Sequence, residues 1–201
     1  MRTLLLFLAL SILPMMSAQT PPPADPNIRH AVFAGGCFWC LQPFFDQVPG
    51  VVSVTVGYTG GRVPNPTYEQ VAGRGTGHRE AVDVAYEPAK VSYERLLEIY
   101  WQSIDPIDGG GQFYDRGEEY TTAIFYGDEE QKIQAEASKA GIQKRFDLKK
   151  MRIATKILPA SVFYPAESFH QSFYKKSPAR YEAYKNAAGH DEKLEEIWRG
   201  L

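Results

Sequence analysis

The sequence predicts an α/β fold of the α+β kind: a two-layer sandwich with helices on one face of a mixed, ferredoxin-like split βαβ sheet, then an irregular C-terminal tail. Three observations predict it. Strand-like and helix-like stretches alternate as strand–helix–strand, strand–helix–strand, then helix–strand and a helical tail. Two of the strands alternate with period two and gather valines on one face. At 201 residues, 44% hydrophobic and 23% charged, the chain suits one domain with a sizeable core.

Each element has its own signal. His30 to Phe33 reads as the first strand, and after Gly35 and Gly36 a helix is expected from about Cys37 to Gln47. Val51 to Tyr58 is a valine-rich second strand, with Val52, Val54, Val56 and Tyr58 on one face. Gly57 to Thr67, with three glycines and two prolines, reads as a loop. Gly73, Gly75 and Gly77 mark another, at a spacing that matches neither a dinucleotide fingerprint nor a P-loop. Arg79 to Tyr86 is the third strand, and alternation puts Glu80, Val82, Val84 and Tyr86 on its apolar face. A carboxylic acid there, if buried, becomes a proton donor near neutral pH; a solvated strand end is the plainer reading. Ser92 caps an amphipathic helix to Ser103, and Asp105 to Gly117 is a long irregular loop. Tyr120 to Tyr126 is a fourth strand, Asp128 to Arg145 a charged helix, Arg152 to Leu158 a fifth strand, and Ser168 to Trp198 helical in pieces.

The formal net charge of −2 gives no electrostatic case for nucleic-acid binding. Arg2, an apolar run from Leu4 to Leu13, Pro14 and the small Ser17 and Ala18 read as a secretory signal over residues 1–18. The run is short for a bilayer span, so no stable membrane insertion is expected once it is cut; an uncleaved anchor or full secretion are the alternatives. Residues 19–28, with Pro21, Pro22, Pro23 and Pro26, form a stiff linker, and residues 29–201 a single catalytic domain, expected to be monomeric. The expected compartment is a periplasm, which is oxidising, so a working dithiol there needs its own electrons.

The chemistry centres on Ala34-Gly35-Gly36-Cys37-Phe38-Trp39-Cys40, which holds both cysteines of the chain. In the first turn of a helix Cys37 would be partly thiolate near neutral pH. Cys40 lies one turn on, on roughly the same face, within reach for a disulfide. Buried apolar thiols, half a zinc site and a structural disulfide also fit the pair. The four histidines, His30, His78, His170 and His190, have no ligand spacing to one another, and no metal, flavin or nicotinamide site is visible. A thioredoxin-like dithiol protein, a non-catalytic secreted binding domain and a Cys–His hydrolase using His78 or His170 remain open.

Further blocks narrow this. Gly36-Cys37-Phe38-Trp39, Tyr68-x-x-Val71, Thr76-Gly77-His78-Arg79-Glu80-Ala81-Val82, Asp115-Arg116-Gly117 with Tyr120, and Pro165-Ala166-Glu167 with His170-Gln171 stand in this order. Together they resemble the A-type peptide methionine sulfoxide reductases over about Val32 to Gln171. The resemblance implies reduction of methionine S-sulfoxide, free or in proteins. Cys37 would be the nucleophile and Glu80 the acid. Tyr68 and Tyr120 would hydrogen-bond the sulfoxide oxygen, and Asp115 would lie near the substrate backbone or a site water. Phe38 and Trp39 would wall the S-methyl group. It also implies a Cys37 sulfenic acid and no bound cofactor, with electrons from a thioredoxin-like donor. Relatives often place resolving cysteines in the tail; this tail has none, which leaves Cys40 for that role or an external thiol. Ile104-Asp105-Pro106 stands where relatives often carry His-Asp-Pro, and His170 and Gln171 match a motif taken as structural.

Overall fold

The computed structural model describes residues 25–199; the expected signal and most of the linker lie outside the described residues. Strand β1 (Arg29–Ala34) leads to helix α1 (Phe38–Asp46), β2 (Val51–Thr59), the short α2 (Tyr68–Ala72) and β3 (Arg79–Tyr86). Helix α3 (Tyr93–Gln102), the two-residue strands β4 (Gly111–Gln112) and β5 (Asp115–Arg116), and a 3-10 turn at Glu118–Tyr120 come next. Then follow β6 (Ala123–Tyr126), α4 (Glu129–Asp147), β7 (Lys156–Pro159), β8 (Tyr164–Pro165), and the tail helices α5 (Phe173–Lys176), α6 (Pro178–Ala187) and α7 (His190–Trp198).

The main sheet runs β7-β6-β1-β3-β2-β8. Its centre, β6-β1-β3-β2, is antiparallel throughout and is wound as two βαβ units, the split βαβ pattern expected. β7 adds in parallel beside β6, and β8 adds antiparallel to β2, making the sheet mixed. Register places Phe33 opposite Val82, and Tyr58 opposite Glu80. One face therefore carries Ala31, Phe33, Val54, Val56, Tyr58, Glu80, Val82, Val84 and Tyr86, as the alternation predicts, except that Val52 is exposed because a bulge between Val51 and Ser53 shifts the register at the start of β2. Helices α1, α3 and α4 cover this face through Leu41, Phe45, Leu96, Tyr100, Trp101 and Phe146. The other face has a smaller cluster of Ala34, Ala81, Ala123 and Phe125, covered in part by Phe163.

Several local expectations are corrected. The loop after Asp105 contains the β4–β5 hairpin, whose strands are too short to show a period in sequence. Tyr120 ends a 3-10 turn rather than starting a strand. α2 forms because Thr67 and Gln70 make a reciprocal capping box. The tail is helical in pieces, as read from the sequence, and it folds back: Trp39 stacks on Phe173 at 3.9 Å, and the Trp198 indole donates to the Ile104 carbonyl at 3.2 Å.

Candidate active site

The turn from β1 into α1 is made by two glycines. A side chain on Gly35 would meet Ile104 at 2.8 Å; Gly36 has φ +80 and lies against Gln112, 2.6 Å from where its Cβ would be. This turn delivers Cys37 to the N-cap position of α1, just ahead of the first turn, with its carbonyl accepting the Cys40 amide at 3.0 Å. Cys37 is 7% exposed and Cys40 3%.

A cavity of about 100 Å³ opens at this point, lined by Cys37, Phe38, Trp39, Tyr68, Glu80, Asp115, Tyr120 and Tyr184. It gathers every residue to which the resemblance gives a catalytic or substrate-binding role, whereas Cys40, the expected resolving thiol, packs behind Cys37 against Phe173 and Tyr181. Glu80 is buried on the apolar face of β3, and its carboxylate accepts the Phe38 amide at 2.9 Å. Burial, and then the neighbouring Cys37, push its carboxyl well above the usual range, with the Phe38 amide opposing. Glu80 is thus held toward its protonated form.

Cys37 departs from expectation. Its thiol is pushed well above its ordinary value, first by burial and then by hydrogen bonding to Cys40 and by the charges of Cys40 and Asp115. The amide of Phe38, in the first turn of α1, is spent on Glu80 rather than on sulfur. The helix terminus therefore does not hold a resting thiolate.

The walls are tied to the tail. The Trp39 indole N–H donates to His170 Nδ1 at 3.1 Å, which fixes the His170 tautomer, and the His170 ring lies 5.0 Å from Phe38 and 4.7 Å from Tyr68. Glu167 accepts the Tyr58 hydroxyl at 3.0 Å and the Tyr68 amide at 2.8 Å, joining β2 to the start of α2. Gln171 bonds both backbone groups of Val56, at 3.0 and 2.8 Å, a structural role as expected. Tyr184, which sequence reasoning missed, donates to the Asp115 carboxylate, 2.6 Å from each oxygen. The only signal for it was Tyr181 and Tyr184 three residues apart, hence on one helix face. His78 accepts the Gly61 amide at 3.2 Å and bonds the Val63 carbonyl at 2.7 Å. With both imidazoles so engaged, neither serves Cys37 as the base of a Cys–His hydrolase.

The family model described as Peptide methionine sulfoxide reductase matches residues 29–200. The chain belongs to the A-type peptide methionine sulfoxide reductase family. It is 52% identical over 168 residues to the peptide methionine sulfoxide reductase MsrA of Bacillus licheniformis, covering 84% of this chain and 92% of that protein. Among solved structures it resembles methionine sulfoxide reductase A of Corynebacterium diphtheriae, with TM-score 0.73, 32% identity and 77% of each chain covered. It also resembles reduced Mxr1 of Saccharomyces cerevisiae, with TM-score 0.72 and 27% identity over 77% of this chain and 88% of that one. The chain is accordingly an oxidoreductase of the peptide-methionine (S)-S-oxide type.

Proposed function

We propose that Cys37 attacks the sulfur of methionine S-sulfoxide while Glu80 protonates its oxygen. The observation that carries this reading is one small cavity holding a thiol, a carboxylic acid biased toward its protonated form, and three phenols. Sulfur–sulfur attack makes the sulfoxide sulfur accept electrons, and the proton from Glu80 neutralises the oxygen as it passes to Cys37. Cys37 attacks as the thiolate, its S–H proton having first passed to a neighbouring base; methionine leaves, Cys37 becomes a sulfenic acid and Glu80 a carboxylate. Tyr68 and Tyr120 hold the oxygen, and Phe38 and Trp39 hold the methyl, the mix of apolar walls and few donors that such a small polar group needs. Asp115 lies close enough to the cavity to meet the substrate backbone or a water.

Cys40 is the resolving thiol. It is buried in one cluster with Cys37, and its attack on the sulfenic acid releases water and forms the Cys37–Cys40 disulfide. A thioredoxin-like dithiol then reduces that disulfide; Mxr1 has also been solved in complex with Trx2. The signal-like residues 1–18 support export to a periplasm, with oxidised exported proteins as substrates.

A single-turnover assay on the reduced mature protein tests this. Methionine is expected from the S epimer of a blocked sulfoxide and not from the R epimer, with two thiols lost per turnover. One thiol lost removes Cys40 from the cycle; no methionine from either epimer overturns the mechanism.

A further inference from the structure

Tyr184 reaches the cavity from α6, and the reaction as described gives it no task. Its hydroxyl lies 2.6 Å from both oxygens of Asp115, and Tyr184 lines the same cavity of about 100 Å³ as the Cys37 thiol. A phenol carries one hydrogen and cannot donate to two acceptors at once. With Asp115 ionised, Tyr184 donates to the carboxylate and accepts from the Cys37 S–H. With Cys37 ionised, Tyr184 donates to sulfur and accepts from a protonated Asp115. The two arrangements differ by one proton moved from sulfur to carboxylate.

We propose that Tyr184 relays the thiol proton of Cys37 to Asp115, so that the attacking thiolate is made inside the closed cavity. The S–H bond of Cys37 breaks as its proton joins the Tyr184 oxygen, and the phenolic proton joins Asp115. Products are a thiolate, an unchanged phenol and a carboxylic acid, with no electrons transferred. The proposal rests on Cys37 being the nucleophile.

The other groups facing Cys37 do not fit the task. Cys40 is itself a thiol, Tyr68 and Tyr120 are phenols pushed upward chiefly by burial, and Glu80 must keep its proton for the sulfoxide. Burial also raises the Asp115 carboxyl, which makes it a more willing proton acceptor than a solvated aspartate, while the Tyr184 hydrogen bond restrains the rise. The two carboxyls then divide the work: Glu80 gives a proton and Asp115 takes one.

The test uses the mature chain with Cys40→Ser, in which alkylation reports Cys37 alone. Iodoacetamide alkylation is followed against pH, alongside single-turnover methionine release at saturating sulfoxide. Tyr184→Phe keeps the ring that meets the edge of Trp39 at 5.7 Å. It should move the alkylation midpoint to higher pH and slow methionine release roughly 10²-fold with little change in KM. Asp115→Asn discriminates further. Removing a charge beside a thiol should lower the alkylation midpoint, so a bystander aspartate would leave release unchanged or faster. The relay instead predicts slower release, and a double variant no slower than the slower single one. A Tyr184→Phe protein with the parental rate and pH profile, unslowed release in Asp115→Asn, or losses that multiply in the double variant would overturn it. If the parent chain gives no methionine, the reductase mechanism falls, while the alkylation profile still reads the Tyr184 hydrogen bond.

Discussion

The cavity has two walls, and they are built differently. The inner wall, with Cys37, Phe38 and Glu80, stands on β1, α1 and β3, where backbone ladders fix Phe33 against Val82 and Tyr58 against Glu80. The outer wall, with Asp115, Tyr120 and Tyr184, arrives on a two-residue strand, a 3-10 turn and a tail helix. Asp115 and Tyr184 are joined through side chains rather than a ladder. Moving the inner wall means breaking the sheet; moving the outer wall means breaking a few side-chain contacts. The groups to which the proposed mechanism gives the bond-forming step sit on the wall held by the sheet.

The sharpest way to break this comparison is at the inner wall. Cys37→Ser should abolish methionine release in single turnover, because no other thiol borders the cavity. Glu80→Gln should slow release by ~10²–10⁴-fold, the range for losing a general acid, without changing the circular dichroism spectrum. The same substitution should raise the thermal midpoint at neutral pH. Glu80 holds its proton to higher pH when folded than when unfolded, so its contribution to stability is present below the unfolded value and is lost as pH rises toward the folded one. Glutamine carries no such loss. A thermal midpoint that falls instead would show that the Phe38 amide depends on a carboxylate there.

Trp39→Phe sharpens the comparison, since Trp39 belongs to α1 but is anchored by the tail. It deletes the indole N–H and strands His170 Nδ1 in a buried place, a cost of about 1–3 kcal/mol. Release should slow less than in Glu80→Gln, with the loss mostly in KM. Equal losses would mean the aromatic wall takes part in the chemical step.

The same division decides what could be read from the sequence. Glu80 was legible because its neighbours alternate with period two over Arg79–Tyr86, and Cys37 because a strand and two glycines precede it. The order of strands and helices was enough for the split βαβ core. The outer wall was not legible in this way. β4 and β5 have two residues each, below any periodic window, and Tyr184 matters only because α6 docks beside Asp115. The thiolate expected at Cys37 failed for a related reason: a contact 42 residues away takes the amide that was to stabilise it.

The smallest effect on activity, and the most selective, is expected at His190 on α7. Its side chain is buried, with rings of Phe113 and Phe44 at 4.4 and 6.2 Å, Asp191 and Lys185 as charged neighbours, and Nδ1 without a hydrogen bond. Burial pushes the imidazole down to about 4 from an ordinary 6.5, so the folded protein keeps it neutral where the unfolded chain would charge it. Its contribution is complete above pH 6.5 and is lost as pH falls toward 4, worth about 3 kcal/mol across that window. Phe113 belongs to the turn that carries Asp115, so acid should loosen the outer wall before the sheet. His190→Gln should leave methionine release at neutral pH unchanged and flatten the fall of the thermal midpoint between pH 6.5 and 4. Amide exchange in the parent chain at pH 5 should then accelerate in α6, α7 and the hairpin while β1 and β3 stay protected. Uniform acceleration would mean that the two walls share one cooperative unit, and that the outer wall is as fixed as the inner.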